Sequence, residues 1–276
     1  MQTVTPGRAA TLPADEVRIV PLPAFRDNYI WLLQRGQVAA VVDPGDGAPV
    51  LAALSELGLR LEAILLTHHH ADHVGGVETL LAAWPQGARP LVFGPAAESI
   101  IGVTQPLVGD ESISLPGLGL EFQVLAVPGH TRGHLAYFCQ LAGQPALFCG
   151  DTLFGAGCGR LFEGTPSQMA LSLARIASLP DATAIYCAHE YTAMNLGFAV
   201  AVEPHNPDIS RRVAAVAEQR RRGQPTLPST LALEKATNPF LRCAQPEVIA
   251  AARRQGASGD DPVSVFAALR EWRNQF

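Results

Sequence analysis

Apolar residues along this chain change rhythm once. Over the first two-thirds they come in short runs separated by Gly, Pro, Asp and Asn. Such runs read as buried strands when they are short and bounded by turn residues. They predict strands over 17–22, 29–33, 38–43, 61–67, 91–93, 120–127, 135–140, 146–149 and 184–188. Helical spacing interrupts them over 48–57, 74–83 and 167–178. From about Tyr191 onward the strand signals disappear. Helical spacing takes over at 193–202, 209–222, 231–235, 246–254 and 263–273, with a Gly/Pro-rich break at 223–228. The pattern predicts a mixed α/β domain over residues 1–190 and a small helical domain over 191–276. Residues 1–15, rich in Thr, Pro, Gly and Ala, are expected to be a loose leader without a signal-peptide run.

Composition narrows the class. A chain of 276 residues with 48% hydrophobic and 16% charged residues can bury a sizeable core. A net charge of -5 argues against broad nucleic-acid binding, which wants a basic face. No uninterrupted apolar stretch is long enough to span a membrane. The five cysteines are odd in number and show no CxxC spacing, so they read as small buried hydrophobes in a reducing cytoplasm. Lys235 is the only lysine, so carboxylate recognition would fall to arginine forks.

The densest chemistry lies in Thr67-His68-His69-His70-Ala71-Asp72-His73. His68, His70, Asp72 and His73 offer imidazole nitrogens and a carboxylate, good donors for a borderline dication such as zinc. The apolar run before them and the helical spacing after them place the string on a strand-to-helix loop, where ligands of α/β folds collect. In an extended stretch His68 and His70 point to one side, while adjacent Asp72 and His73 diverge. That suits two neighbouring metals, His68 and His70 on one and Asp72 and His73 on the other. A chance polyhistidine tract is the bland alternative. It does not explain why His130, Asp151 and His189 each stand just past the C-terminal end of an apolar run.

The order His68-x-His70-x-Asp72-His73, His130, Asp151, His189 resembles the metallo-β-lactamase superfamily. More narrowly the chain looks like glyoxalase II, the hydroxyacylglutathione hydrolases. The narrower likeness rests on Asp27-Asn28-Tyr29, on 150–160 ending Gly157-Cys158-Gly159-Arg160, and on Glu163-Gly164-Thr165. It rests also on His189-Glu190-Tyr191-Thr192, Asn238-Pro239-Phe240-Leu241-Arg242 and the closing 270–276. It covers nearly all of the chain beyond the first dozen or so residues.

The resemblance implies an αββα sandwich followed by the helical domain. It implies one metal on His68, His70 and His130, a second on Asp72, His73 and His189, and Asp151 bridging both. The ions would be two divalent cations, zinc first, with iron or manganese possible. A hydroxide held between them would attack a thioester carbonyl. The implied reaction is hydrolysis of S-D-lactoylglutathione to glutathione and D-lactate, the last step of methylglyoxal detoxification. No serine or cysteine nucleophile with an adjacent base is apparent, which fits. The same resemblance maps Arg160, Tyr191, Arg270 and Arg273 onto glutathione contacts. Arg270 and Arg273 also share one face of the last predicted helix, though a solvated face would look the same. Arg160 and Arg273 stand where lysine is common, and Phe162 where a tyrosine often donates a hydroxyl. A cytoplasmic monomer acting on a small glutathione thioester, with no nucleic-acid or membrane partner, is expected.

Lesser expectations attach to other residues. His69 reads as a spacer pointing away from the metals and His205 as a surface residue. His134 reads either as a residue behind the ligands or as an ordinary strand residue. Asp43 either orients a ligand histidine or forms a turn. Rival functions are a persulfide dioxygenase with a single iron, a lactamase, lactonase or nuclease on the same scaffold, and a non-catalytic metal binder. The complete second ligand set weighs against the first rival and the arginine-bearing tail against the second. Seven donors on separate strand ends weigh against the third.

Overall fold

The structure, a computed structural model, describes residues 16–84 and 89–276; the expected leader lies outside the described residues. Strand β2 (Asn28–Arg35) shows why the fold is layered. It is apolar on both faces. Tyr29, Trp31 and Leu33 point into one core, and Ile30 and Leu32 into another. A strand buried on both sides needs a layer on each.

The first sheet runs in the order β1 (Arg18–Ala24), β2, β3 (Val38–Val42), β4 (Arg60–Leu65), β5 (Leu91–Pro95) and β6 (Gln105–Leu107). Its outer face is covered by α1 (Gly47–Leu57) and by α3 (Val77–Ala82), which follows the short α2 (Ala71–Val74). The second sheet runs from β7 (Ser112–Leu115) through β8 (Leu120–Ala126), β9 (Leu135–Gln140) and β10 (Pro145–Gly150). A separate hairpin, β11 (Leu153–Phe154) and β12 (Gly157–Cys158), follows. Then come α4 (Pro166–Ala177) and β13 (Ala184–Cys187), which pairs parallel with β10. Trp31, Val42 and Leu65 of one sheet meet Phe122, Tyr137 and Phe148 of the other in the shared core. The order is helix, sheet, sheet, helix, as the resemblance implied.

The remaining chain is α5 (Thr192–Val202), α6 (Pro207–Arg221), β14 (Ser229–Thr230), α7 (Leu231–Thr237), α8 (Pro246–Arg254) and α9 (Pro262–Gln275), with a 3-10 turn at Pro239–Leu241. Met169 and Leu173 of α4 and Phe266 and Leu269 of α9 close onto the central core.

Two expectations need correction. The single helix expected over 74–83 is two, because Gly75 and Gly76 interrupt it and the first begins at Ala71. Asp72 and His73 therefore stand on a helical turn rather than on extended chain. The tail is not free of strand either. β14 adds an antiparallel edge to β13, with Ala184 opposite Thr230. Two residues are too few for a periodic signal, so pattern reading misses them.

Candidate metal centre

The four side chains of the 68–73 string reach the site by different routes. His68 follows β4 in open loop, His70 caps α2, and Asp72 and His73 occupy its turn. His130, Asp151 and His189 stand past the ends of β8, β10 and β13. All seven converge. His70 Nδ1 lies 3.0 Å from both His68 Nε2 and His130 Nε2. His189 Nε2 is 3.5 Å and His73 Nε2 3.6 Å from Asp72 Oδ2. The sets His68/His70/His130 and Asp72/His73/His189 each bring their donor atoms close enough to hold one ion.

Asp151 sits between them. Its Oδ2 is 3.4 Å from His130 Nε2, while its Oδ1 is 3.4 Å from His73 Nε2 and 3.3 Å from His189 Nε2. One oxygen thus faces each set. His73 Nε2 and Asp151 Oδ1 are buried without any hydrogen-bond partner among the described residues. Orphaned buried polar atoms are uncommon and call for an explanation. A dication between them supplies it, so the donors present fit a pair of metal ions.

The atoms behind the donors set the tautomers. His130 Nδ1 faces the Arg160 carbonyl at 2.8 Å. His73 Nδ1 faces Asp43 Oδ2 at 3.0 Å, and His189 Nδ1 faces Asp27 Oδ1 at 2.9 Å. Each of these acceptors holds the Nδ1 proton and so aims Nε2 at the cluster, where an ion would take its lone pair. Thr67 Oγ1 donates to Asp43 Oδ2 and lies 3.0 Å from His68 Nδ1, which extends the same logic to His68. Asn28 Nδ2 donates to Asp72 Oδ2 at 3.0 Å. Gly159 passes so close to this apparatus that a Cβ there would stand 1.9 Å from the Asp151 carbonyl oxygen.

Charge divides the histidines into two groups. Burial and neighbouring imidazoles push His68 well below its ordinary pKa and push His70 down. Burial also lowers His130 despite Asp151. Burial alone would lower His73, but Asp151 and Asp43 outweigh it and raise His73 to about 9. His189 is likewise raised by Asp151 and Asp27 against its burial. Asp151 is buried, which would raise it, but His73 and His189 hold it far below the usual carboxylate range.

Of the lesser expectations, Asp43 proves to be the orienting residue. It carries a positive φ of 50° and bonds both Thr67 and His73. His134 is wholly buried, stacks on His68 at 4.6 Å, and its Nε2 accepts from the Asp151 backbone N–H at 3.1 Å. His69 does turn away, but it is held by Glu98 at 2.9 Å and Glu163 at 3.3 Å rather than standing free. Sequence reasoning used Asp27 and Asn28 only as motif residues, without a role, and passed over Glu98. The polar pair Asp27-Asn28 at the mouth of an apolar strand was the signal for the first two.

The cluster opens into a cleft of about 450 Å³ lined by His70, Asp72, His130, Asp151, Phe162, His189 and Tyr191. An adjoining cleft of about 360 Å³ shares His130, Asp151, Phe162 and Tyr191 with it. That second cleft continues to Arg160, Asn195, Arg270 and Arg273. The four residues mapped as substrate contacts therefore line one cavity. Among the described residues none of the three arginines pairs with a carboxylate. Burial, Arg270 and Arg160 together lower Arg273. Arg270, only 5% exposed, donates to the Cys158 carbonyl at 2.9 Å, a structural bond that a pure substrate contact would lack. Tyr191 stacks on His189 at 4.7 Å, and burial and nearby carboxylates raise its hydroxyl to about 12. Phe162, 64% exposed, stands 5.2 Å from the His130 ring with no hydroxyl to offer.

Two family models match the chain from residue 24 to its last residue. The metallo-beta-lactamase superfamily model matches residues 24–189, and the model for the hydroxyacylglutathione hydrolase C-terminus matches residues 190–276. A protein of Nitrosomonas eutropha named hydroxyacylglutathione hydrolase is 53% identical over 261 residues, covering 94% of this chain and 99% of its own. One of the same name from Dechloromonas aromatica is 57% identical over 269 residues, with 92% and 98% covered. Among solved structures, the crystal structure of ETHE1 from Myxococcus xanthus shares the fold, with a TM-score of 0.59 at 24% identity. The match covers 93% of this chain and 97% of that one. TTHA1623 in a di-iron-bound form superposes with a TM-score of 0.55 at 28% identity, over 80% of this chain and all of the other.

Proposed function

The chain belongs to the hydroxyacylglutathione hydrolases of the metallo-β-lactamase superfamily, and from that premise we propose how it works. It is a thioester hydrolase that cleaves S-(2-hydroxyacyl)glutathione, S-D-lactoylglutathione above all, to glutathione and the free 2-hydroxy acid. The observation that carries the reading is the shared wall of the two clefts. An arginine-lined arm ends on a seven-donor cluster, so an anionic tripeptide and its reacting carbonyl can be held at once.

His68, His70 and His130 would hold one dication, Asp72, His73 and His189 the other, and Asp151 both. Five imidazoles and two carboxylates suit zinc first, and iron or manganese as well. When bound, such ions supply a nucleophilic water at neutral pH and polarise the carbonyl under attack. The chain's own groups do the rest. Asp43, Asp27 and the Arg160 carbonyl accept the Nδ1 protons of His73, His189 and His130 and so aim their Nε2 atoms at the cluster. Arg160 and Arg273 pair with the distant carboxylates of glutathione, and Tyr191 offers its hydroxyl beside them. The departing thiolate is a good leaving group with a thiol pKa near 8.5, so no strong general acid is required.

The seven donors and the arginine arm are complete within one chain, so the site as proposed needs no residue from a second copy. All five cysteines are free and buried, which suits a reducing cytoplasm. No described helix is long and apolar enough to cross a membrane. The test is turnover of S-D-lactoylglutathione beside a β-lactam, a lactone and glutathione persulfide. The thioester should be the preferred substrate by orders of magnitude. Preference for any other would overturn the reading.

A further inference from the structure

The hairpin joining Asp151 to Arg160 is not held by its own sheet. Its strands β11 and β12 are two residues each, too short to be stable alone. The turn between them forces Ala156 to a φ of 55°. Buried backbone groups in such a turn must find partners, and five of them find a side chain of the C-terminal segment. Asn238 Nδ2 donates to the carbonyls of Phe154 at 3.2 Å and Gly157 at 2.9 Å. Asn195 Nδ2 donates to Gly155 O at 3.0 Å. Glu234 Oε2 accepts from Ala156 N at 2.8 Å, and Arg270 Nη1 donates to Cys158 O. Asn195, Glu234, Asn238 and Arg270 are all buried. Glu234 is itself fixed by Arg212 and Ser229.

Both ends of this hairpin serve the metal centre. Asp151 enters it, and the carbonyl of Arg160, just beyond its exit, orients His130. We infer that Asn238, with Asn195 and Glu234, is a positioning residue for the bridging carboxylate. The helical tail thus sets the spacing of the two metals as well as lining the glutathione cleft. The inference rests on Asp151 being the bridge.

The isosteric change Asn238→Asp tests it, since a carboxylate cannot donate to the two carbonyls it would face. Metal-free protein is titrated with Mn(II) and followed by electron paramagnetic resonance. A carboxylate-bridged pair gives an exchange-coupled signal and separate ions an isolated six-line one. Asn238→Asp is expected to lose the coupled signal and to bind Mn(II) about tenfold more weakly, the low end of losses at groups behind the ligands. Asn195→Asp should show the same in milder form. Arg253→Gln, which breaks the tail's exposed Arg253–Asp260 pair and makes no side-chain bond to the clamp residues, should keep the wild-type signal. Where Asn238→Asp does not fold cooperatively, Asn195→Asp decides. Wild-type coupling and affinity in the folded variants would overturn the inference. Absence of a coupled pair in the wild type would overturn the bridging assignment and the inference with it.

Discussion

Asp43 Oδ2 lies 3.0 Å from His73 Nδ1, and both side chains are buried. The same carboxylate accepts from Thr67 N at 2.8 Å and from Thr67 Oγ1 at 2.7 Å. One residue at the end of β3 therefore ties the start of the ligand string to its last member. Replacing Asp43 with Asn should weaken metal binding at the Asp72/His73/His189 set by about ten- to a hundredfold. Asn tolerates the positive φ of this position, so the loss would report the carboxylate rather than backbone strain. Competition with a graded chelator measures it, and unchanged affinity would show that His73 needs no such support.

Metal uptake should depend on pH unequally at the two sets. His68, His70 and His130 are lowered and need give up no proton at neutral pH. His73, at about 9, holds a proton that an incoming ion must displace, and His189 is raised in the same direction. Protons therefore compete only at the second set. Its affinity should rise as pH climbs towards about 9 and level off above it, while the first set changes little between pH 7 and 9. Calorimetry of metal-free protein in buffers of different ionisation enthalpy counts the protons released. Equal release for both equivalents would refute the division.

Much of this was legible in the chain. The apolar runs before His130, Asp151 and His189 showed where strands would end, and α/β sandwiches gather ligands at such ends. The αββα order came from the resemblance alone. The bonds made by Asp27, Asn28 and Glu98 were not legible. Asp27 meets His189, 162 positions away, and no local pattern encodes that distance. The hairpin clamp was hidden for the same reason. Asn238 and Arg270 were visible as motif residues, but their targets are backbone carbonyls, which carry no sequence signal. The break at Gly75 and Gly76 was visible as two glycines. Its reason, the close packing of Gly76 against Pro44 O and Gly47 N, was not.

Glutathione recognition should separate KM from kcat. Arg273 has no carboxylate partner among the described residues, and the glutathione carboxylate it would hold is remote from the reacting carbonyl, so a contact there is made equally in ground and transition states. Arg273→Ala should raise KM for S-D-lactoylglutathione and spare kcat. A charge-assisted hydrogen bond of about 1.5–3 kcal/mol corresponds to roughly a ten- to hundredfold change. Arg270→Ala should lower kcat as well, because Arg270 also holds the Cys158 carbonyl. Equal KM for wild type and Arg273→Ala would remove this helix from the binding site.

His134 should matter more than a strand residue would. Its Nε2 accepts the Asp151 N–H and its ring backs His68. Substitution by Ala leaves a buried N–H without a partner, a loss of about 1–3 kcal/mol. We expect His134→Ala to unfold at lower temperature and to bind metal more weakly, yet to stay active. Asp151→Ala should nearly abolish turnover. Full metal content and near-normal kcat in Asp151→Ala would exclude it as the bridge.

The proposed thioesterase site takes two ions on its seven donors. The direct measurement is stepwise addition of zinc to metal-free protein, with bound metal and S-D-lactoylglutathione hydrolysis read on the same samples. Activity should rise with the second equivalent and reach its plateau near two ions per chain. Full activity at one ion per chain, with the second equivalent adding nothing, would contradict the dinuclear account.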